Sequence, residues 1–110
     1  MMQLIVLIAC VIQGEAGGLG NPAMFMVADT MAYRYETTQN WDDVLKYYYG
    51  YNPEPSDFAT TLATNLVNKP WKSVFQCPFA YSDSDRYTQG WSEGDYIYKT
   101  LHLKQDWPGE

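Results

Sequence analysis

The stretch Val11-Ile12-Gln13-Gly14-Glu15-Ala16-Gly17-Gly18-Leu19-Gly20 decides how this chain is read. It ends an apolar run, places one carboxylate at the end of that run, and follows it at once with glycines. At about 100° per residue, Leu4, Ile8 and Val11 fall within about 40° of the Glu15 direction, so on a helix the acid shares a face with aliphatic side chains. Burial and the negative end of a helix dipole both favour a carboxyl group over a carboxylate, which suits a proton donor. Glu15 is therefore the candidate catalytic acid; the alternative is a surface glutamate at a frayed helix end. Gly17 and Gly18 are of the type that stops helices in a left-handed conformation, and glycine also lets a ligand approach the backbone closely.

Working outward, Asn21-Pro22 reads as a helix start with Asn21 as N-cap, and Met24, Val27, Ala28, Met31 and Tyr35 recur at helical spacing as a core stripe. Asn40 caps a third, short helix over Trp41 to Tyr49, with Asp42 and Asp43 in the first turn where the helix dipole favours them. Gly50 ends it, Asn52-Pro53-Glu54-Pro55 is an extended linker, and Ser56 caps a fourth helix carrying Phe58, Leu62, Leu66 and Val67. Beyond Pro70 the pattern changes: Ser73 to Tyr81 and Asp95 to Leu103 read as β-strands, with Pro78 placing the first on an edge or at a bulge. Ser82 to Tyr87, between them, reads as a capped turn or one short helix. The expected fold is α+β, mainly helical at first, with a small antiparallel sheet near the C-terminus.

Composition sets limits. A chain of 110 residues with 46% hydrophobic content suits one domain over residues 1–110. A net charge of −6 with only 7 Lys and Arg argues against a nucleic-acid partner. His102 is the sole histidine and no CxxC pair exists, so no metal site or cofactor is expected. Cys10 and Cys77 could pair; since Cys10 falls inside the apolar run, both read as free thiols. Leu7-Ile8-Ala9-Cys10 fits a lipoprotein cleavage pattern, but no positive residue precedes it and the apolar run stops near residue 12, short of the ~20 residues a membrane span needs. Neither a signal peptide nor a membrane span is therefore expected. The 10 Tyr and 4 Trp mostly fill the core on the plainest reading, although such rings also line sites for sugars.

The order Glu15-Ala16-x-Gly18, a short loop, then Val27-Ala28-Asp29-Thr30-Met31-Ala32-Tyr33-Arg34 resembles the catalytic domain of the bacterial cell wall hydrolases typified by the spore-cortex-lytic enzyme SleB. Trp41-Asp42-Asp43-Val44 continues the similarity more weakly, and Phe79-Ala80-Tyr81-Ser82-Asp83-Ser84-Asp85 is similar to the strand and following segment near that family's sugar cleft. Tyr33 stands where the family commonly has Asn, and Lys69-Pro70-Trp71-Lys72-Ser73 replaces its usual Pro-Thr-Gly-Gly-Ala.

The resemblance implies a lysozyme-like or lytic-transglycosylase-like fold and cleavage of the β-1,4 bond between N-acetylmuramic acid and N-acetylglucosamine. The partner is then a peptidoglycan glycan strand outside the membrane, met by a monomer that is phage-encoded or part of an exported protein. Most glycosidases use two carboxylates. Since the second is not obvious, a lytic transglycosylase is favoured, with Glu15 as acid and then base and the sugar's own C6 hydroxyl as nucleophile. Hydrolysis would draw its base from Asp83 or Asp85, which read equally well as cap and turn acids. Tyr81 is a candidate for stacking on the N-acetyl sugar, Ser82 for hydrogen bonding to it, and Gly18 for close approach. Arg34 either pairs with a structural carboxylate or holds one on the substrate's lactyl or peptide groups. The competing reading is a noncatalytic glycan-binding module, or a structural protein of a phage or of the cell-wall machinery.

Overall fold

The apolar run forms helix α1 (Leu4–Ala16) in the computed structural model, which describes residues 3–109. Ile8, Ala9, Cys10, Val11 and Ile12 are buried on it and Glu15 is half-buried. A 3-10 turn, Gly17–Leu19, leads into helix α2 (Asn21–Thr38). Two expectations need correction here. Gly17 stays right-handed at φ −58°, and it is Gly20, at φ 99°, that takes a conformation only glycine adopts cheaply. Asn21 is the first helical residue and not the cap; no side chain caps α2, and Pro22 in its first turn removes one N–H that would otherwise lack a partner.

Helix α3 (Trp41–Leu45) is shorter than its apolar pattern implied, whereas its cap is as expected, with the Asp43 amide donating to Asn40 Oδ1 at 3.1 Å. Helix α4 (Asp57–Asn68) starts at Ser56, whose Oγ accepts from the Ala59 amide at 3.1 Å. Strand β1 (Phe79–Ser82), helix α5 (Asp83–Gln89), strand β2 (Tyr96–Tyr98) and strand β3 (Leu101–Lys104) complete the chain. The segment read as one strand from Asp95 to Leu103 is a hairpin, turned at Lys99 with φ 53°. Residues Ser73 to Pro78, expected extended, form an irregular loop.

The sheet is antiparallel in the order β1-β3-β2. Helices α1, α2 and α4 pack on one another, α2 reaches α3 as well as β1 and β3, and the core lies among them around Ile8, Ile12, Val27, Met31, Leu66 and Leu103. The fold is α+β with a helical majority. Cys10 and Cys77 are both free and buried. Among the described residues no helix is long and apolar enough to cross a membrane.

The loop from Trp71 to Phe75 owes its path to Asp29. This carboxylate is fully buried and accepts four hydrogen bonds, from Trp71 Nε1 at 2.9 Å, Ser73 Oγ at 2.8 Å, the Val74 amide at 2.8 Å and the Phe75 amide at 2.9 Å. A buried charge is tolerated when donors satisfy it, so Asp29 fastens the loop that enters β1 to the middle of α2.

Candidate active site

Glu15 is held by a backbone crossing. The chain leaving α3 passes so close to α1 that a Cβ on Gly14 would lie 2.1 Å from the Tyr51 nitrogen, and one on Gly50 would lie 2.7 Å from the Glu15 nitrogen. Side chains at either position would push the two segments apart. At that contact the Gly50 amide donates to Glu15 Oε2 at 2.9 Å, and the Asn52 amide donates to Cys10 O at 2.9 Å one turn back along α1. One oxygen of the carboxyl group is thereby fixed, while the side chain lines a cleft of 490 Å³ between the helices and the sheet. A smaller depression of 180 Å³ adjoins it and also reaches Glu15.

Aromatic rings make the walls. Tyr47 and Tyr49, 53% and 92% exposed, stand on the loop after α3, and Phe79, Trp91 and Trp107 face the cleft from the sheet side. Trp107 meets Phe79 edge-on at 5.5 Å and Trp91 at 5.6 Å, and remains 61% exposed. Pro108 O, which accepts from both the amide (2.8 Å) and the hydroxyl (3.0 Å) of Ser92, holds this C-terminal segment in place. Exposed rings beside a polar group are the surface that the apolar faces of sugar rings recognise. In the sequence these rings do not stand apart from the other aromatics; the one cue is tryptophan in loop segments next to glycine and proline, at Gly90-Trp91 and Trp107-Pro108.

Arg34 lines the cleft beside Tyr48. Its Nε donates to Pro78 O at 2.7 Å, and its guanidinium carbon lies 4.3 Å from the centre of the Tyr47 ring. Thr30 donates its hydroxyl proton to Val27 O at 2.6 Å, so the Tyr48 hydroxyl is the donor in the 2.6 Å bond that joins it to Thr30. Burial, with the nearby Glu15 adding to it, pushes the Tyr48 phenol up to about 12 against the opposing effects of Thr30 and Arg34. Tyr48 is therefore a neutral, fixed phenol at the cleft floor.

The remaining candidates divide. Asp85, at the start of α5, lines both depressions together with Glu15. Asp83 is engaged elsewhere: the Gly94 amide donates to His102 Nδ1 at 3.0 Å, which leaves the proton on Nε2 to be donated to Asp83 Oδ1 at 2.5 Å. Ser82 caps α5, its Oγ accepting from the Asp85 amide at 3.1 Å, and lines the smaller depression. Tyr81 lines both depressions; it is buried, with one ring face stacked on His102 at 5.3 Å and its hydroxyl donating to Ser92 O at 2.7 Å. Gly18 sits exposed on the 3-10 turn and lines neither depression. No cluster of three or more His, Cys, Asp or Glu able to hold a metal occurs among the described residues.

Comparison with protein-family models, with curated proteins and with solved structures returns no match.

Proposed function

We propose that this protein is a peptidoglycan-cleaving glycosidase acting on the β-1,4 bond between N-acetylmuramic acid and N-acetylglucosamine, with Glu15 as its general acid. The observation that carries the reading is Glu15 itself: a half-buried carboxyl group, fixed through Oε2 by the Gly50 amide, at the edge of an aromatic-walled cleft of 490 Å³. Exposed rings at Tyr49 and Trp107 suit stacking on sugar rings, and the cleft is of the size that takes a small oligosaccharide segment. On this reading the helical lobe facing a small sheet is a reduced lysozyme-like or lytic-transglycosylase-like architecture, and the protein acts on the cell wall outside the membrane.

The chemistry needs only one protein acid. Glu15 gives its proton to the glycosidic oxygen as the bond from C1 to that oxygen breaks. The C6 hydroxyl oxygen of the same sugar bonds to C1, and its proton passes to the Glu15 carboxylate, which restores the acid. No water is consumed, and the intramolecular nucleophile has a high effective concentration.

Asp85 favours a second mechanism at the same site. It lines the cleft with Glu15, whereas Asp83 is bound to His102, so a water activated by Asp85 would give hydrolysis. Mass spectrometry of fragments released from purified peptidoglycan separates the two: anhydromuramyl ends mark transglycosylation, reducing ends mark hydrolysis. If no fragments appear and the wall suspension does not clear, the glycosidase reading is wrong and a glycan-binding or structural module takes its place.

A further inference from the structure

We propose that Arg34 forms a carboxylate-binding subsite in the cleft, and that the ligand it selects is an N-acetyl sugar chain carrying free carboxylate groups. The proposal rests on the glycan-cleaving reading for the kind of chain that enters; the charge of that chain is inferred from Arg34 alone.

Arg34 is a cation with no acidic partner among the described residues. The ion pairs there join Lys46 to Asp43 and Lys104 to Asp95, and neither includes Arg34. Glu15 and Asp85 line the same cleft, yet neither pairs with it.

What the fold does instead is orient it. The Nε–H bond to Pro78 O at 2.7 Å fixes the stem, and the rings of Tyr47, Phe79 and Tyr48 lie 4.3, 5.5 and 5.9 Å from the guanidinium carbon. A planar guanidinium held this way loses little freedom when it binds, and its N–H fork matches the two oxygens of a carboxylate. The acid across the cleft gives direction as well. A carboxylate placed beside Asp85 meets like charge, so a charged chain settles with its carboxylate at Arg34, which fixes the register of the glycosidic bond against Glu15.

The carboxylate could belong to a lactyl ether on the sugar or to a peptide attached to it, and the ligands below separate these. Calorimetric titrations use the Glu15→Gln form, so that nothing is cleaved, with four probes: neutral β-1,4 N-acetylglucosamine oligomers, peptide-free alternating glycan with free lactyl carboxylates, the same glycan amidated, and amidated glycan carrying stem peptides with free carboxylates. The expected result is that a free-carboxylate glycan binds about tenfold tighter than the amidated chain, the worth of one charge-assisted hydrogen-bonded contact. Adding Arg34→Gln should weaken the free-carboxylate glycan about tenfold more than it weakens the amidated chain, and an unchanged circular dichroism spectrum shows that the variant is folded. Preference for the lactyl probe assigns the carboxylate to the sugar, and preference for the stem-peptide probe alone assigns it to the peptide; both support the subsite. Equal binding of charged and amidated chains, or equal weakening of both by Arg34→Gln, overturns it while leaving the glycan reading intact. Failure of all four probes to bind overturns the glycan reading and this proposal together.

Discussion

The amide of Gly50 donates to Glu15 Oε2 at 2.9 Å, joining residues thirty-five positions apart where the backbone after α3 crosses the end of α1. Their approach depends on glycine at 14 and 50, since a Cβ on Gly14 would fall 2.5 Å from Tyr51 Cα and one on Gly50 would fall 2.7 Å from the Gly14 carbonyl carbon and 2.9 Å from Glu15 Cα. Gly14→Ala is therefore expected to destabilise the fold by about 1–3 kcal/mol, as forced overpacking does, and to release Glu15 from its amide. Denaturant unfolding checks the first effect and wall-clearing activity the second. A variant with wild-type midpoint and activity would show that this contact does not hold the acid.

Asp29 should prove the costliest single substitution outside the cleft. Asp29→Ala leaves Trp71 Nε1, the Ser73 hydroxyl and the Val74 and Phe75 amides without their acceptor. With about 1–3 kcal/mol for each buried donor left unpaired, and some recovered by water, the expected loss exceeds about 3 kcal/mol in chemical denaturation. A loss below 1 kcal/mol (roughly the worth of one ordinary hydrogen bond) would mean that the loop holds itself.

Much of this was legible in the chain, because helix starts are local chemistry. Asn40 and Ser56 cap where their side chains and spacing said they would, and the Met24, Val27 and Met31 stripe is buried. Glu15 stood out because an acid ending an apolar helix is a local conflict. The Gly14 and Gly50 crossing was not legible, since each glycine makes ordinary local sense and only the folded chain brings them together. Asp29 did leave a signal, an acid beside Ala28 on a helix with an apolar stripe, although its partners lie more than forty positions away. Tyr81 stands in the cleft lining, but its stacking on His102 and its bond to Ser92 O left no mark in the sequence, because only the folded sheet and loop bring those partners to it.

Trp107 is expected to contribute to ligand affinity without contributing much to the fold. It is 61% exposed in the cleft wall, so Trp107→Ala should leave the unfolding midpoint nearly unchanged and weaken binding of N-acetylglucosamine oligomers about threefold to tenfold, the range of an aromatic contact. Unchanged affinity would remove that wall from the binding surface.

Stability should decline on the alkaline side. Burial pushes the Cys77 thiol up to about 11, with Asp95 and Asp29 adding to the effect, and pushes the Tyr48 phenol up to about 12. Both groups stay neutral in the fold while the unfolded chain ionises near its ordinary values of 9.0 and 10.0. The unfolded state thus binds fewer protons between pH 9 and about 12, and the free energy of unfolding falls as pH rises through that window. Tyr48→Phe should remove the upper part of the slope when unfolding is followed from pH 8 to 12; an unchanged slope would mean that Tyr48 is not held neutral.

The most direct measurement compares wild type with Glu15→Gln on purified peptidoglycan, following turbidity and wall binding together. Glutamine keeps an acceptor for the Gly50 amide but cannot supply the proton, so the expected result is full binding with clearing reduced by at least about a hundredfold, the lower end of general acid catalysis. Clearing at the wild-type rate by Glu15→Gln, or no clearing by either protein, would contradict the assignment of Glu15 as the acid.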